Sequence, residues 1–421
     1  MVYSTAPTTA APLSRKRTER VSPSPEDDLP SDSKKSRLLD SSRSFSEDLK
    51  DMPANNVALA GPHTHVIGTV DCKQALVFQF VDVQEHDPNS ALLFGVVVKS
   101  GMRVLVIVQN LGGSVPDFLR RHQVNAMCLA ELPGGKYSEL NEHERLSHNQ
   151  TEFIIDREDL VIQPAQEQWQ IADPVPLRIL SFDIETNVPL DETFPVPRND
   201  PAIQIGNIVQ ENGDTYRVIF TLRGCSPIAG AEVRSFETES AMLSAWRQFV
   251  LECDPDVVTG HNIARFDFMY LITRADVLEI HDFACLGRLK GRTTTVFENQ
   301  PFLPWENGPV LHGRLQLDVL QYYQEKTERL AGHKLADLAQ RELNGAAKEI
   351  DFHFTMIRGL QDGSDDDRKR LAVYCLKDAH LPLRLLNEKA CLEEAVTAAR
   401  SDDRKYLAFS DFLRIGRNFK P

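Results

Sequence analysis

The stretch Leu177-Arg178-Ile179-Leu180-Ser181-Phe182-Asp183-Ile184-Glu185 turns from apolar to acidic within nine residues. Leu177 to Phe182 predicts a buried strand, which Asp183-Ile184-Glu185 closes. Strand side chains alternate, so Asp183 and Glu185 project together from one face of a rigid element. Two adjacent carboxylates repel unless a cation sits between them, and without one at least one carboxyl has a raised pKa. An isolated Asp-x-Glu is weak evidence, because strands commonly end in polar surface residues.

Downstream, strands and helices alternate as in an α/β fold. Gln204 to Val209 and Tyr216 to Leu222 read as strands, and Glu239 to Cys253 reads as an amphipathic helix with Leu243, Trp246, Phe249 and Val250 inward. Val257 to Gly260 is a fourth strand, leading into a helix from about Phe268 to Ala275. Residues 282 to 317 are turn-rich, contain Phe302, Trp305 and three prolines, and predict a loop or hairpin insertion. Helices are expected from Asp318 onward.

Two more acidic elements lie in this region. His261-Asn262-Ile263-Ala264-Arg265-Phe266-Asp267 follows the fourth strand and puts Asp267 at a helix start, where Asp is normally a cap; Asn262 fits a turn equally well. Tyr374-Cys375-Leu376-Lys377-Asp378 lies in a helical stretch beginning near Asp365, and the spacing of four puts Tyr374 and Asp378 on one face. Each element is weak alone. Together they supply Asp183, Glu185, Asp267 and Asp378, enough to hold two divalent ions ~3.5–4 Å apart for phosphodiester hydrolysis. An all-oxygen donor set without histidine or cysteine suits Mg²⁺ or Mn²⁺, and the Tyr374 hydroxyl can orient the attacking water.

Composition limits the alternatives. A formal net charge of −14 argues against a general phosphate-binding surface, so any nucleic-acid site must be local. The seven cysteines form no Cys-x-x-Cys pair and read as reduced, mostly core thiols of an intracellular protein. No apolar run approaches the ~18 residues needed to span a bilayer. His143-Glu144 followed by His148 resembles a zinc-protease pattern, but the second histidine is one position too late to share a metal with the first on a helix.

Upstream of the first strand the character changes twice. Residues 1 to about 50 hold eleven serines and five prolines and predict a disordered tail. Its two basic clusters, Arg15-Lys16-Arg17 and Lys34-Lys35-Ser36-Arg37, suit a two-part nuclear import signal. From about residue 66 the pattern is β-rich: strands at Ala75 to Val83, Ala91 to Val98 and Arg103 to Val108, a hairpin turn at Lys99-Ser100-Gly101, a helix near Asp117 to His122, and a strand-like return through Phe153 to Val161.

The flanks make a resemblance specific. Leu177 to Glu185, Asp254-Pro255-Asp256-Val257-Val258-Thr259-Gly260-His261-Asn262, and Leu371 to Leu386 around Tyr374 and Asp378 resemble the three exonuclease motifs of B-family DNA polymerases; the third is most like the eukaryotic delta type. Similarity runs from about Leu129, in Leu-Ala-Glu-Leu-Pro-Gly-Gly-Lys-Tyr137, to the C-terminus. The resemblance implies a ribonuclease H-like exonuclease domain of the four-acid type with a tyrosine. Asp183, Glu185, Asp267 and Asp378 would bind two Mg²⁺ or Mn²⁺ ions, Tyr374 would position water, and Asn262 and Phe266 would hold a frayed primer end. Asp318 falls where the family has an acidic residue, but a helix N-cap explains it as well, and it is left out of the metal set.

The expected organisation is a disordered tail over 1–52, a small β-rich N-terminal domain over 53–170, an α/β exonuclease domain with a mixed central sheet over 171–400, and the start of a linking helical segment over 401–421. The family's polymerase motifs are absent, and Tyr406 to Lys420 resembles the helix that leads into the polymerase portion, which favours a fragment or truncated product over a free-standing descendant. The expected activity is 3′→5′ hydrolysis of single-stranded or frayed DNA in the nucleus, with replication accessory subunits as further candidate partners and no membrane. The alternatives are a non-catalytic remnant that binds DNA or replication partners and, less favoured, a ribonuclease of the same metal chemistry.

Overall fold

The computed structural model describes residues 45–51, 70–163, 175–187, 194–296, 308–326, 333–343, 354–401 and 408–415. The basic clusters of the tail, together with Phe302 and Trp305, lie outside the described residues.

The acidic strand lies in the interior of a six-stranded mixed sheet. Its members are β8 (Ile179–Thr186), β9 (Ala202–Glu211), β10 (Asp214–Leu222), β11 (Glu232–Phe236), β12 (Val257–Gly260) and β13 (Leu315–Asp318), in the order β11-β10-β9-β8-β12-β13. β8, β9 and β10 pair antiparallel, whereas β12 is parallel to both β8 and β13. A two-residue turn joins β9 to β10, with Asn212 and Gly213 both at positive φ, as the right-handed twist of a tight hairpin demands.

Side-chain alternation along β8 sorts the two faces. Leu180, Phe182 and Ile184 enter a core with α3 (Glu239–Cys253) and α4 (Asp267–Val277), where the Phe182 ring lies 5.3 Å from Trp246 and 5.0 Å from Phe268. Ser181, Asp183 and Glu185 face the other way, toward the long helix α8 (Asp365–Glu388). That helix begins at a capping box in which Ser364 and Asp367 satisfy each other's backbone amides, and three acidic residues in its first turn complement the helix dipole. The remaining described helices are α1 (Phe45–Asp51), α2 (Val115–Arg121), α5 (Val319–Lys326), α6 (Leu335–Glu342), α7 (Phe354–Asp362), α9 (Cys391–Ser401) and α10 (Phe409–Ile415).

A second sheet is formed by β1 (Leu76–Asp87), β2 (Ser90–Val97), β3 (Arg103–Gln109), β4 (Leu129–Leu132), β5 (Tyr137–Glu139), β6 (Thr151–Asp156) and β7 (Val161–Ile162). Its order is β5-β6-β3-β2-β1-β4-β7, antiparallel except where β3 meets β6. The hairpin at Lys99 to Gly101 forms as expected, with Gly101 at φ +68°.

Buried charge ties the two sheets together. Arg103 of β3 donates to Asp256 at 2.9 Å and pairs with Glu211 at 2.7 Å; Arg288 bridges Asp254 and Asp256, and Arg314 meets Asp254 at 2.6 Å. Asp256 is fully buried, and two guanidiniums outweigh the burial that would otherwise raise its carboxyl, holding it well below the usual range. A second buried acid fastens α10 to β1: Ser410 donates its hydroxyl to Asp82 at 2.7 Å.

The structure departs from the sequence reading in several places. The end of the segment read as disordered forms α1, whose Phe45 and Leu49 are buried against Ile219, Ala372 and Leu376. The Phe153 to Val161 return splits into β6 and β7. The edge strand β11 is too short and too polar to show periodicity. At the end of the turn-rich region, Leu315–Asp318 is a strand, so Asp318 ends β13 beside Gly260. Around the rejected histidine pattern there is a single 3-10 turn, Glu142–Glu144.

Candidate metal centre

Asp183 and Glu185 stand two apart on β8; Asp183 is half-buried and Glu185 is 7% exposed. The ladder to β9 is irregular immediately after Glu185, where a register shift separates Glu185 from Thr186. Irregularities of this kind re-aim side chains at sheet ends.

Helix α8 is seated tightly on this face. Opposite Asp183 in the register is Gly206, where an added Cβ would lie only 2.9 Å from the Cys375 carbonyl oxygen. One turn later the Ser181 hydroxyl donates to the Ala379 carbonyl at 2.6 Å. The helix therefore crosses β8 and β9 between residues 375 and 379, and Asp378, 7% exposed, lies in that crossing. Tyr374, one turn earlier, is half-buried beside the cluster of Ile203, Leu360 and Leu371.

The third carboxylate arrives from α4. Asp267 is the first residue of that helix, and its Oδ1 accepts the Ile184 N–H at 3.2 Å, so the group read as a possible cap points into the strand between Asp183 and Glu185. Burial raises the proton affinity of Asp267 well above the usual carboxylate range, and the negative charges of Asp318 and Asp378 push it further in the same direction. Among the described residues, Asp183 and Glu185 lie within mutual ligand range together with Cys375, while Asp267 reaches the Ile184 amide and feels the charge of Asp378. A buried carboxylate raised by neighbouring negative charges marks a place short of positive charge.

Cys375 was read as a core thiol, and the donor set was expected to lack cysteine. Its Sγ lies 3.4 Å from the Asp183 carbonyl oxygen, and one ligand atom from each of Asp183, Glu185 and Cys375 falls within 4.8 Å of the others. Burial raises the thiol's pKa, and the carboxylates of Asp183, Glu185 and Asp378 raise it further. Helical geometry could have found it: residue 375 precedes Asp378 by three, on the neighbouring face. Oxygen donors nevertheless dominate the cluster, and they fit Mg²⁺ or Mn²⁺.

In the turn that follows β12, Asn262 adopts a left-handed backbone with φ +67°, which Asn tolerates better than most residues. Phe266 ends the same turn, and its ring meets Phe194 edge-on at 5.8 Å. Phe194 is 65% exposed, an unusual surface position for a large apolar ring, and the sequence reading did not single it out.

The chain is similar to known proteins. The family model for the DNA polymerase family B exonuclease domain matches residues 114–337, just over half of the chain and short of Tyr374 and Asp378. The DNA polymerase delta catalytic subunit of Candida albicans is 38% identical over 306 residues, covering 71% of this chain and 28% of the relative. That of Schizosaccharomyces pombe is 40% identical over 285 residues, covering 66% and 26%. The chain therefore spans about a quarter of the length of these relatives. In fold it is similar to the family B DNA polymerase of the hyperthermophilic archaeon Pyrobaculum calidifontis, with a TM-score of 0.58 at 16% identity over 80% of this chain and 48% of that one. With the exonuclease-domain model matching more than half of its length, and relatives of the delta type at about 40% identity, the chain belongs to DNA polymerase family B and carries that family's exonuclease domain.

Proposed function

We propose that this chain hydrolyses DNA from the 3′ end, one nucleotide at a time, in a proofreading role, using a ribonuclease H-like site of four acids and a tyrosine. The observation that carries the reading is the docking of Asp267 on the Ile184 amide, which sets a carboxylate from a distant helix between Asp183 and Glu185 under the helix that bears Asp378. A buried carboxylate crowded by other acids is costly unless it serves a cation.

When bound, the divalent ions would supply a Lewis acid for the scissile phosphate and lower the pKa of a bound water. Asp183, Glu185, Asp267 and Asp378 would hold them, the first two from a rigid strand and the others from helices packed on its two faces. Tyr374 orients the attacking water through its hydroxyl. Asn262 and Phe266 hold the terminal nucleotide, and the exposed Phe194 ring extends the Phe266 surface for base stacking. We divide the chain as the sequence suggested, a β-rich N-terminal domain followed by the exonuclease domain. We place it in the nucleus, on the basic clusters of its tail and its delta-type relatives; replication accessory subunits follow from the same relatives.

The test is digestion of a 5′-labelled single-stranded DNA oligonucleotide in Mg²⁺ by the wild type and by an Asp183→Ala, Glu185→Ala double variant. A ladder of products shortened from the 3′ end, absent with the variant, is expected. A folded wild type that shortens nothing in Mg²⁺ or Mn²⁺ would overturn the proposal in favour of a non-catalytic DNA- or partner-binding segment.

A further inference from the structure

We infer that Asp318 is a positioning residue for substrate binding: its carboxylate locks the turn that presents Asn262 and Phe266 to the 3′ end, and it takes no part in holding metal. The inference rests on the proposed nuclease reading and deepens it. Asp318 ends β13 directly beside Gly260, the last residue of β12, so its side chain lies at the start of the His261-to-Phe266 turn. It is 3% exposed.

Three backbone amides converge on this one carboxylate. Oδ1 accepts from Asn262 N–H at 2.9 Å and from Leu320 N–H at 2.9 Å, and Oδ2 accepts from Ala264 N–H at 3.0 Å. The Leu320 contact is the helix cap anticipated from the sequence; the two contacts to the turn are not part of any cap. A carboxylate offers about four lone-pair sites, so three amide donors leave it largely committed. Hydrogen bonds of this charged kind are roughly twice as strong as neutral ones, and they hold what they bind in one geometry.

The turn needs such an anchor. Asn262 occupies the left-handed region, and an L residue stays there only when its surroundings over-determine the conformation. Within the turn, Arg265 N–H and Phe266 N–H bond the Asn262 carbonyl, and at its start His261 Nε2 meets the His333 carbonyl at 2.7 Å. Asp318 instead ties the turn to the sheet and thereby fixes the Asn262 side chain relative to Asp183 and Glu185. Removing that tie loosens the grip on substrate, while Asp183 and Glu185 stay on β8 and Asp267 keeps its contact with the Ile184 amide.

The experiment compares wild type, Asp318→Ala, Asp318→Asn, Asn262→Ala and the Asn262→Ala, Asp318→Ala double variant. Three readouts are used: shortening of a 5′-labelled single-stranded oligonucleotide, anisotropy of the same oligonucleotide in EDTA, and Mn²⁺ binding followed by electron paramagnetic resonance. Asp318→Ala is expected to raise KM and the anisotropy Kd by about tenfold, with kcat and Mn²⁺ affinity changed by less than about threefold. Asp318→Asn, which keeps one accepting oxygen, falls between wild type and Asp318→Ala. In the Asn262→Ala background the Asp318 substitution adds less than about twofold, because both act through one turn. A tenfold loss of Mn²⁺ affinity, a fall in kcat at constant KM, full additivity with Asn262→Ala, or no effect would each overturn the inference. Circular dichroism and urea midpoints identify folded variants; if Asp318→Ala fails to fold, Asp318→Asn carries the comparison. A wild type that binds the oligonucleotide without shortening it would refute the nuclease reading alone, leaving the anisotropy to decide the role of Asp318.

Discussion

Asp82 gives a stability prediction whose size follows from its surroundings. Its carboxyl sits on β1 under α10 with no exposed surface, and burial pushes its pKa up from 3.8 to about 7, with the neighbouring Asp411 charge adding to the rise and the Ser410 hydrogen bond opposing it. A folded pKa above the unfolded one means that the native state keeps its proton longer as pH rises. The contribution to stability is therefore fully present below pH 4 and is lost as the pH climbs to 7. About three pH units at roughly 1.4 kcal/mol each come to about 4 kcal/mol. An Asp82→Asn variant has no charge to bury and keeps an oxygen that can accept from Ser410. Relative to wild type it should gain stability with pH, the gap widening by about 3 kcal/mol between pH 5 and pH 8. Urea unfolding followed by tryptophan fluorescence at both pH values measures the gap, and comparing the variant with wild type at each pH cancels the other titrating groups. A gap independent of pH, or one that narrows toward pH 8, would refute the reasoning.

Three further outcomes are expected. Asp256→Ala leaves Arg103 and Arg288 buried without a shared partner and should destabilise the protein by about 3–5 kcal/mol, read as a lowered urea midpoint. Gly206→Ala drives a Cβ against the Cys375 carbonyl, a backbone atom that cannot move cheaply; it should cost about 1–3 kcal/mol and, by lifting α8 from β8, slow oligonucleotide shortening about a hundredfold. Tyr374→Phe should lower kcat about a hundredfold and leave KM and Mn²⁺ affinity near wild type; an unchanged kcat would remove the tyrosine from the proposed mechanism.

Much of the fold was legible locally. The strand at Val257–Gly260 and the helix at Glu239–Cys253 form with the boundaries that periodicity predicts, because each has a clean apolar face and an unambiguous end. β11 escaped notice because an edge strand of five residues buries too little to impose alternation, and α1 because its two buried side chains sit inside a segment of low overall hydrophobicity. Asp318 was assigned to a helix start because the cap it makes at Leu320 is local, whereas its pairing to β12 is not.

The sequence by itself determined which side chains share a face: Asp183 with Glu185 by the two-residue period of a strand, Tyr374 with Asp378 by the turn of a helix. Only the tertiary structure decided which of these faces meet. Cys375 and Asp183 are 192 residues apart and touch because Gly206 lets α8 close on the sheet, and Asp267 reaches the Ile184 amide because α4 packs through Phe268 on the opposite side of the same strand. Local periodicity is set by backbone geometry over a few residues; convergence of distant carboxylates is set by how whole elements bury their apolar faces, and no spacing along the chain encodes it.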